Sequence, residues 1–256
     1  MAVIFPAVVF TITQLIQSSF SQWSPLGVGV AYRDYGFGKN VLIAYGGFSV
    51  SDILSRHWAD RLINHSPLKL FGVGRVYAVK GPDDPLYQAK EIANSKLVSH
   101  LLTNQNAGLI VVLAHSSGAF VANEFFSQLY RSGLPTKTDN KIVYYNLDGA
   151  GGLSSAAKSK LNQEYFVYAR DGSLLSRNAG TMKSLATGDK LLELDGSHSQ
   201  CRHYNCLHDV MIIRHPWDPM KFDLSRDYGL FSVGDREVQF DYITKTQSRL
   251  SGLSHG

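Results

Sequence analysis

Short apolar runs of strand length alternate along this chain with longer stretches of helical periodicity. The run Leu109–Leu113 is apolar at every position, which is typical of a central parallel strand covered on both faces. Residues 118–130, which follow it, place their apolar side chains on one side of a helix. The alternation predicts a three-layer α/β fold, in which helices cover both faces of a mostly parallel sheet of about eight strands.

The same alternation of apolar runs and helical stretches gives the bounds of the individual elements. The predicted strands after the amino-terminal region are Leu26–Ala31, Val41–Tyr45, Val73–Val79, Leu109–Leu113, Ile142–Leu147, Tyr165–Ala169 and Leu191–Leu194. The predicted helices are 51–64, a helix that begins at Asp84 and Pro85 and continues through Leu101, and 118–130. Asp84 supplies a capping side chain, and proline suits the first helical position. Because no linker or shift in composition divides the chain, we expect one domain over residues 1–256.

Composition and charge exclude several classes of protein. The 256 residues are 44% hydrophobic and have a formal net charge of +4, which is incompatible with a disordered chain. The basic residues are scattered, so there is no electrostatic basis for a nucleic-acid partner. No long uncharged apolar run recurs, and we expect no stable membrane span. Two cysteines are too few for a disulfide framework.

The amino terminus has two interpretations. Residues 2–16 are apolar enough for the core of a signal peptide, and Ser19-Phe20-Ser21 would suit cleavage. However, no Lys or Arg precedes the apolar run, and residues 9–13 suit a first strand equally well. Residues 1–21 are therefore either a signal peptide or the first strand, and a cytoplasmic and a secreted location both stay open.

A serine lies where the apolar strand 109–113 passes into the helix 118–130. The pattern is small-x-Ser-x-small, with Ser116 flanked at two positions on either side by Ala114 and Gly118. A sharp strand-to-helix turn exposes the central serine and requires small flanks because the chain nearly touches itself there. Ser117 does not fit, since its earlier flank is His115. The pattern predicts Ser116 as a nucleophile; the plainer interpretation is a tight turn with a solvated serine.

The strand, turn and helix around Ser116 resemble the nucleophile elbow of the α/β-hydrolase superfamily. The order of elements is similar over nearly the whole chain, but only the elbow is motif-specific, and Ala114 replaces the first glycine of G-x-S-x-G. The resemblance implies a triad in the chain order serine, acid, histidine, each after successive strands. It also implies an acyl-enzyme mechanism without a cofactor.

Two carboxylates and three histidines are candidates for the rest of the triad. Asp171 is favoured as the acid on the superfamily's usual strand order, and Asp148, after the preceding strand, is the alternative. His208 lies between a polar loop and an apolar run, and is preferred as the base over His203 and then His198. An imidazole can accept and return a proton near neutral pH.

Backbone N–H groups after two strands are candidates for an oxyanion hole. The Ser117 N–H lies at a predicted helix amino terminus, where it can donate to a developing oxyanion. Gly46-Gly47-Phe48 follows the strand Val41–Tyr45, where the superfamily places a glycine-containing loop. Glycine lets the backbone approach a substrate closely. The predicted second donor is therefore the N–H of Gly47 or of Phe48; alone, the two glycines would be read as a simple turn.

The predicted site is open. Residues 149–163 are too few for a cap domain between two strands, and such a site suits a small-molecule or lipid-like ester with a bulky or extended part. Phe48, Trp58 and Trp217 are candidates to line it, although each suits the core or the surface equally well. The predicted function is a serine esterase or lipase; the alternative is a binding module or a lyase on the same fold.

Two cysteines lie close to the candidate bases. Cys201, His203, Cys206 and His208 are metal-ligating types, but their spacing does not match structural zinc sites, so no metal is expected. Cys201 and Cys206 would form a disulfide if the protein is exported, and would otherwise be reduced thiols. Oligomeric state is left open.

Overall fold

The computed structural model describes residues 22–36, 38–48, 50–65, 72–83, 92–103, 108–132, 141–149, 157, 161, 163–169 and 191–194. The strands in these ranges are β1 (Ser24–Gly27), β2 (Val30–Asp34), β3 (Asn40–Tyr45), β4 (Val73–Val79), β5 (Leu109–His115), β6 (Lys141–Leu147), β7 (Gln163–Ala169) and β8 (Leu191–Leu194). The helices there are α1 (Asp52–His65), α2 (Asn94–Thr103) and α3 (Gly118–Arg131).

The strands form one sheet of eight in the order β1-β2-β4-β3-β5-β6-β7-β8. β2 is antiparallel to both of its neighbours, and every other neighbouring pair is parallel. The α/β fold with a mostly parallel sheet is thus confirmed. Because β3, β5, β6 and β7 are parallel, the residues that follow them lie along the same edge of the sheet, where open α/β sheets bind ligands.

Helices cover both faces of the sheet. On one face α1 buries Leu54, Trp58 and Leu62 against β3, β4 and β5. On the other face α2 and α3 bury Leu97 and Phe125 together with further side chains. All seven residues of β5 are buried, as expected for a central strand. Trp58 is 1% exposed within the core, so of its open interpretations the core position is the one observed, and it does not line the site.

The predicted strand Leu26–Ala31 is wrong, because the chain reverses direction within it. β1 and β2 form an antiparallel hairpin whose turn is Val28-Gly29. Gly29 has φ +68, a conformation that side-chain-bearing residues rarely adopt. The turn is held against the next segment, since Lys80 N–H donates to Gly29 O at 2.8 Å.

The predicted continuous helix from Asp84 through Leu101 is also wrong. Ile92 and Ala93 are not helical, and α2 begins at Asn94, whereas residues 84–91 lie outside the described ranges. The reason is a contact with the β1–β2 turn: the Ala93 N–H donates to Val28 O at 3.0 Å. Gly27 permits this approach, because a β-carbon there would lie 2.5 Å from Ala93 Cβ.

The amino-terminal segment 1–21 lies outside the described residues. Within the described part of the chain, none of the helices combines the length and apolar character that crossing a bilayer requires.

Candidate active site

Ser116 lies in a sharp turn between β5 and α3. Its φ is +52, in the left-handed region, where a residue with a side chain is strained. The backbone is held on both sides: Ser116 N–H donates to Leu147 O at 3.0 Å, and Ala119 N–H donates to Ser116 O at 3.1 Å. The strand, strained turn and helix that the small-x-Ser-x-small pattern predicts are therefore present at Ser116.

The neighbouring serine has a different environment. Ser117 has an ordinary φ of −65° at the start of α3, and its Oγ is buried without a hydrogen-bond partner among the described residues. Both serines are largely buried, with 8% of the surface of Ser116 and 6% of that of Ser117 exposed, so exposure does not distinguish them. The predicted contribution of Ser117 to the site is its backbone N–H, and that group lies at the amino end of a helix of 14 residues.

The turn is closely packed against its neighbours, which explains the small flanking residues. A β-carbon on Gly118 would lie 2.8 Å from Tyr45 O and would also overlap Gly46 O. A β-carbon on Gly149 would lie 2.8 Å from Ser116 O. The elbow therefore lies between the segments that follow β3 and β6. Both contacts are possible only because Gly118 and Gly149 have no side chain.

Gly47 lies directly beside Ser116. A β-carbon on Gly47 would lie 3.1 Å from Ser116 Cβ and 2.7 Å from His115 Nδ1. The Gly46 N–H is committed to the sheet, since it donates to Val79 O at 2.9 Å. The next N–H groups along the chain belong to Gly47 and Phe48, the two candidates for the second oxyanion donor. The Gly47 carbonyl accepts from Val50 N–H at 3.1 Å, which closes the loop before α1.

A chain of buried hydrogen bonds begins at Tyr45, the residue before this loop, and was not predicted from the sequence. Burial raises the pKa of Tyr45 well above its usual range, so the phenol stays protonated and donates to Asn94 Oδ1 at 3.2 Å. Asn94 Nδ2 in turn donates to Val121 O at 3.1 Å. The link joins the end of β3, the start of α2 and the first turns of α3. The sequence shows only an asparagine near a helix start, with no sign that it is buried.

Asp148 occupies a second left-handed turn, at the end of β6. Its φ is +47, and its surface is fully buried. Its N–H donates to Val167 O at 2.7 Å, and Gly149 N–H donates to Asn146 Oδ1 at 2.8 Å. Because His115 pairs with Leu147 in the sheet, Ser116 and Asp148 are the next residues on adjacent parallel strands. Within the described ranges these are the non-glycine residues with positive φ.

The structure brings together part of the predicted site. Ser116, Ser117 and Gly47 meet at the carboxyl ends of β5 and β3, and Asp148 follows the adjacent β6. The other candidates lie outside the described residues, and their roles stay predictions. These are Asp171, His198, Cys201, His203, Cys206, His208 and Trp217.

Comparison with known proteins yields structural likenesses only. No family model and no curated protein sequence matches the chain. Among solved structures, the chain is similar to TT1662 from Thermus thermophilus, with 12% identity, 68% of this chain and 87% of the other covered, and a TM-score of 0.39. The chain is also similar to an alpha/beta superfamily hydrolase from Oenococcus oeni PSU-1, with 11% identity, 85% of this chain and 74% of the other covered, and a TM-score of 0.34. A bromoperoxidase from Bacillus anthracis is similar with 13% identity, 65% of this chain and 56% of the other covered, and a TM-score of 0.31.

Proposed function

We propose that this protein is a serine hydrolase of the α/β-hydrolase superfamily that cleaves carboxylic esters. The observation that carries the proposal is the left-handed backbone of Ser116 between β5 and α3, at the ligand-binding edge of the sheet. Strain of this kind persists where the surrounding structure enforces it, and it clusters at functional sites. Here it belongs to a hydroxyl-bearing residue in a motif whose chemistry is acyl transfer.

The proposed mechanism assigns one role to each residue. His208 accepts the Ser116 proton while Ser116 Oγ attacks the ester carbonyl, and the carbonyl oxygen becomes an oxyanion. Asp171, with Asp148 as the alternative acid, holds the imidazole tautomer and stabilises the imidazolium. The protonated His208 gives its proton to the leaving alcohol, which leaves an acyl group on Ser116. Water, deprotonated by His208, then releases the acid.

The oxyanion is stabilised by backbone donors that are in place before the reaction. The Ser117 N–H lies at the amino terminus of α3, and the Gly47 N–H belongs to the loop packed against Ser116. Donors fixed in advance need no reorganisation as charge develops, which is why this contribution to catalysis is large. The substrate is a small-molecule or lipid-like ester, and no cofactor takes part.

The proposal is tested by ester hydrolysis. We expect the wild-type protein to hydrolyse p-nitrophenyl acetate with an initial burst of p-nitrophenol, because the acyl-enzyme accumulates. We expect His208→Ala to lower kcat by about 10⁴-fold or more, since the general base is lost. His203→Ala is the matched control and retains most of the activity. Folded wild-type protein that hydrolyses no ester in a panel of short and long chains would contradict the proposed function.

Gly47→Ala tests the oxyanion loop. The new β-carbon would be 2.7 Å from His115 Nδ1 and 3.1 Å from Ser116 Cβ, so the loop must move away from the serine. We expect kcat to fall by about 10²- to 10³-fold, the cost of losing one oxyanion donor. Gly27→Ala is the control, because its β-carbon would meet Ala93 Cβ at 2.5 Å, and three strands lie between β1, which contains Gly27, and β5. That variant should lose stability but keep its rate per folded molecule; equal rates for the two variants would exclude this role of Gly47.

A further inference from the structure

Two aromatic side chains remain partly exposed on the two segments that adjoin Ser116, the loop after β3 and the first turn of α3. Phe48 is 39% exposed and Phe120 is 38% exposed. Phe48 follows Gly47 directly, and Phe120 lies in the first turn of α3, where its N–H donates to Ser117 O at 3.1 Å. Both side chains therefore leave part of their apolar surface in water. Exposed apolar surface next to a site is typical of a binding surface.

The two phenyl groups belong to the two segments that meet at the serine. Gly47 approaches Ser116 so closely that a β-carbon on it would lie 3.1 Å from Ser116 Cβ, and the Phe48 Cα is about 3.8 Å further along the chain. Gly118, two residues before Phe120, packs against Tyr45 O and Gly46 O at the start of the same loop. A substrate carbonyl at Ser116 therefore has an aromatic side chain on the loop after β3 and another on α3.

We infer that Phe48 and Phe120 bind the hydrocarbon part of the ester, so that the enzyme favours long acyl chains over acetate. This inference rests on the proposed function and names the substrate class of the same site. Each methylene of the acyl chain that is fully removed from water by contact with the phenyl groups raises kcat/KM by up to about fourfold. Because each phenyl group is partly exposed when no ester is bound, its apolar surface is free to make such contacts.

The test is the dependence of kcat/KM on acyl chain length. p-Nitrophenyl acetate, butyrate and octanoate are compared below their solubility limits in the wild-type protein, Phe48→Ser and Phe120→Ser. We expect the octanoate-to-acetate ratio to exceed about tenfold in the wild type and to fall about fivefold or more in each variant, since apolar contact is lost.

Val28→Ser is the matched control. Val28 is 63% exposed at the turn between β1 and β2, and β4 and β3 separate β2 from β5 in the sheet. We expect this variant to keep the wild-type ratio, because about two strand spacings of 4.8 Å separate β2 from β3, which precedes Phe48, and about three separate β2 from β5, which precedes α3 and Phe120.

Three results would overturn the inference. If both Phe variants keep the wild-type ratio while hydrolysis continues, the aromatic pair does not bind the acyl chain, but the proposed function stands. If the ratio is unchanged below the solubility limit and changes only when octanoate is assayed again above that limit, the residues contact an ester aggregate rather than a single chain. If the folded wild-type protein hydrolyses none of the three esters, the proposed function fails and the inference fails with it.

Discussion

Ser116→Gly should abolish ester hydrolysis and at the same time stabilise the fold. Loss of the nucleophile lowers kcat by about 10⁴-fold or more, to the level that binding and the oxyanion hole sustain alone. Glycine adopts a φ of +52 without the strain that a serine side chain incurs, so the free energy of unfolding should rise by up to about 1 kcal/mol. Steady-state kinetics and urea unfolding of the same preparation measure the two effects.

Two further variants show whether the gain in stability comes from the left-handed turn. Ser117→Gly should lower the free energy of unfolding by a few tenths of a kcal/mol, because Ser117 has an ordinary φ of −65°. Ser116→Ala should be as inactive as Ser116→Gly but should not be stabilised, because alanine keeps a β-carbon in the strained turn. If Ser116→Gly is less stable than the wild type, the strain at Ser116 does not have the role proposed here.

The second large effect concerns the acid. Asp171→Asn should lower kcat by about 10⁴-fold, because an amide in place of the carboxylate leaves the imidazole in the wrong tautomer. Asp148→Asn should retain most of the activity. Asparagine tolerates the left-handed region about as well as aspartate, so the φ of +47 at this position is preserved and the comparison reports on charge alone.

If Asp148→Asn lowers kcat about 10⁴-fold and Asp171→Asn retains most of the activity, the acid of the triad is Asp148. That residue is fully buried and follows Leu147, the partner of His115 in the sheet, so its carboxyl group is on the strand next to the elbow. If both variants keep full activity, the serine–histidine–acid mechanism is contradicted. Thermal unfolding of both variants provides the control for folding, because loss of a buried carboxylate can also destabilise the protein.

The parts of the fold that could be predicted from the sequence are those with an unbroken local pattern. β5 is buried throughout because both of its faces are covered, and its first five residues, Leu109–Leu113, are all apolar, which the sequence shows directly. The elbow was also predictable, since the pattern that marks it, with Ala114 and Gly118 on either side of Ser116, spans only five residues. Gly118 packs against the end of β3, as the pattern implies.

The parts that could not be predicted depend on contacts between distant segments. The turn at Val28-Gly29 lies within an apolar stretch that resembles a single strand. α2 begins at Asn94 rather than near Asp84 because the Ala93 N–H donates to Val28 O. The hydrogen bond from the Tyr45 phenol to Asn94 Oδ1 joins residues 49 positions apart. Periodicity cannot reveal such pairs, because each partner alone resembles an ordinary strand end or helix start.

The central claim is that Ser116 is a nucleophile, and covalent labelling tests it most directly. Folded wild-type protein is treated with a fluorophosphonate, digested and mapped by mass spectrometry. We predict one adduct per chain, on the peptide that contains Ser116, and no adduct in Ser116→Gly, because only an activated serine attacks the phosphorus readily. An adduct on a different serine, or no adduct on folded wild-type protein, would contradict the account.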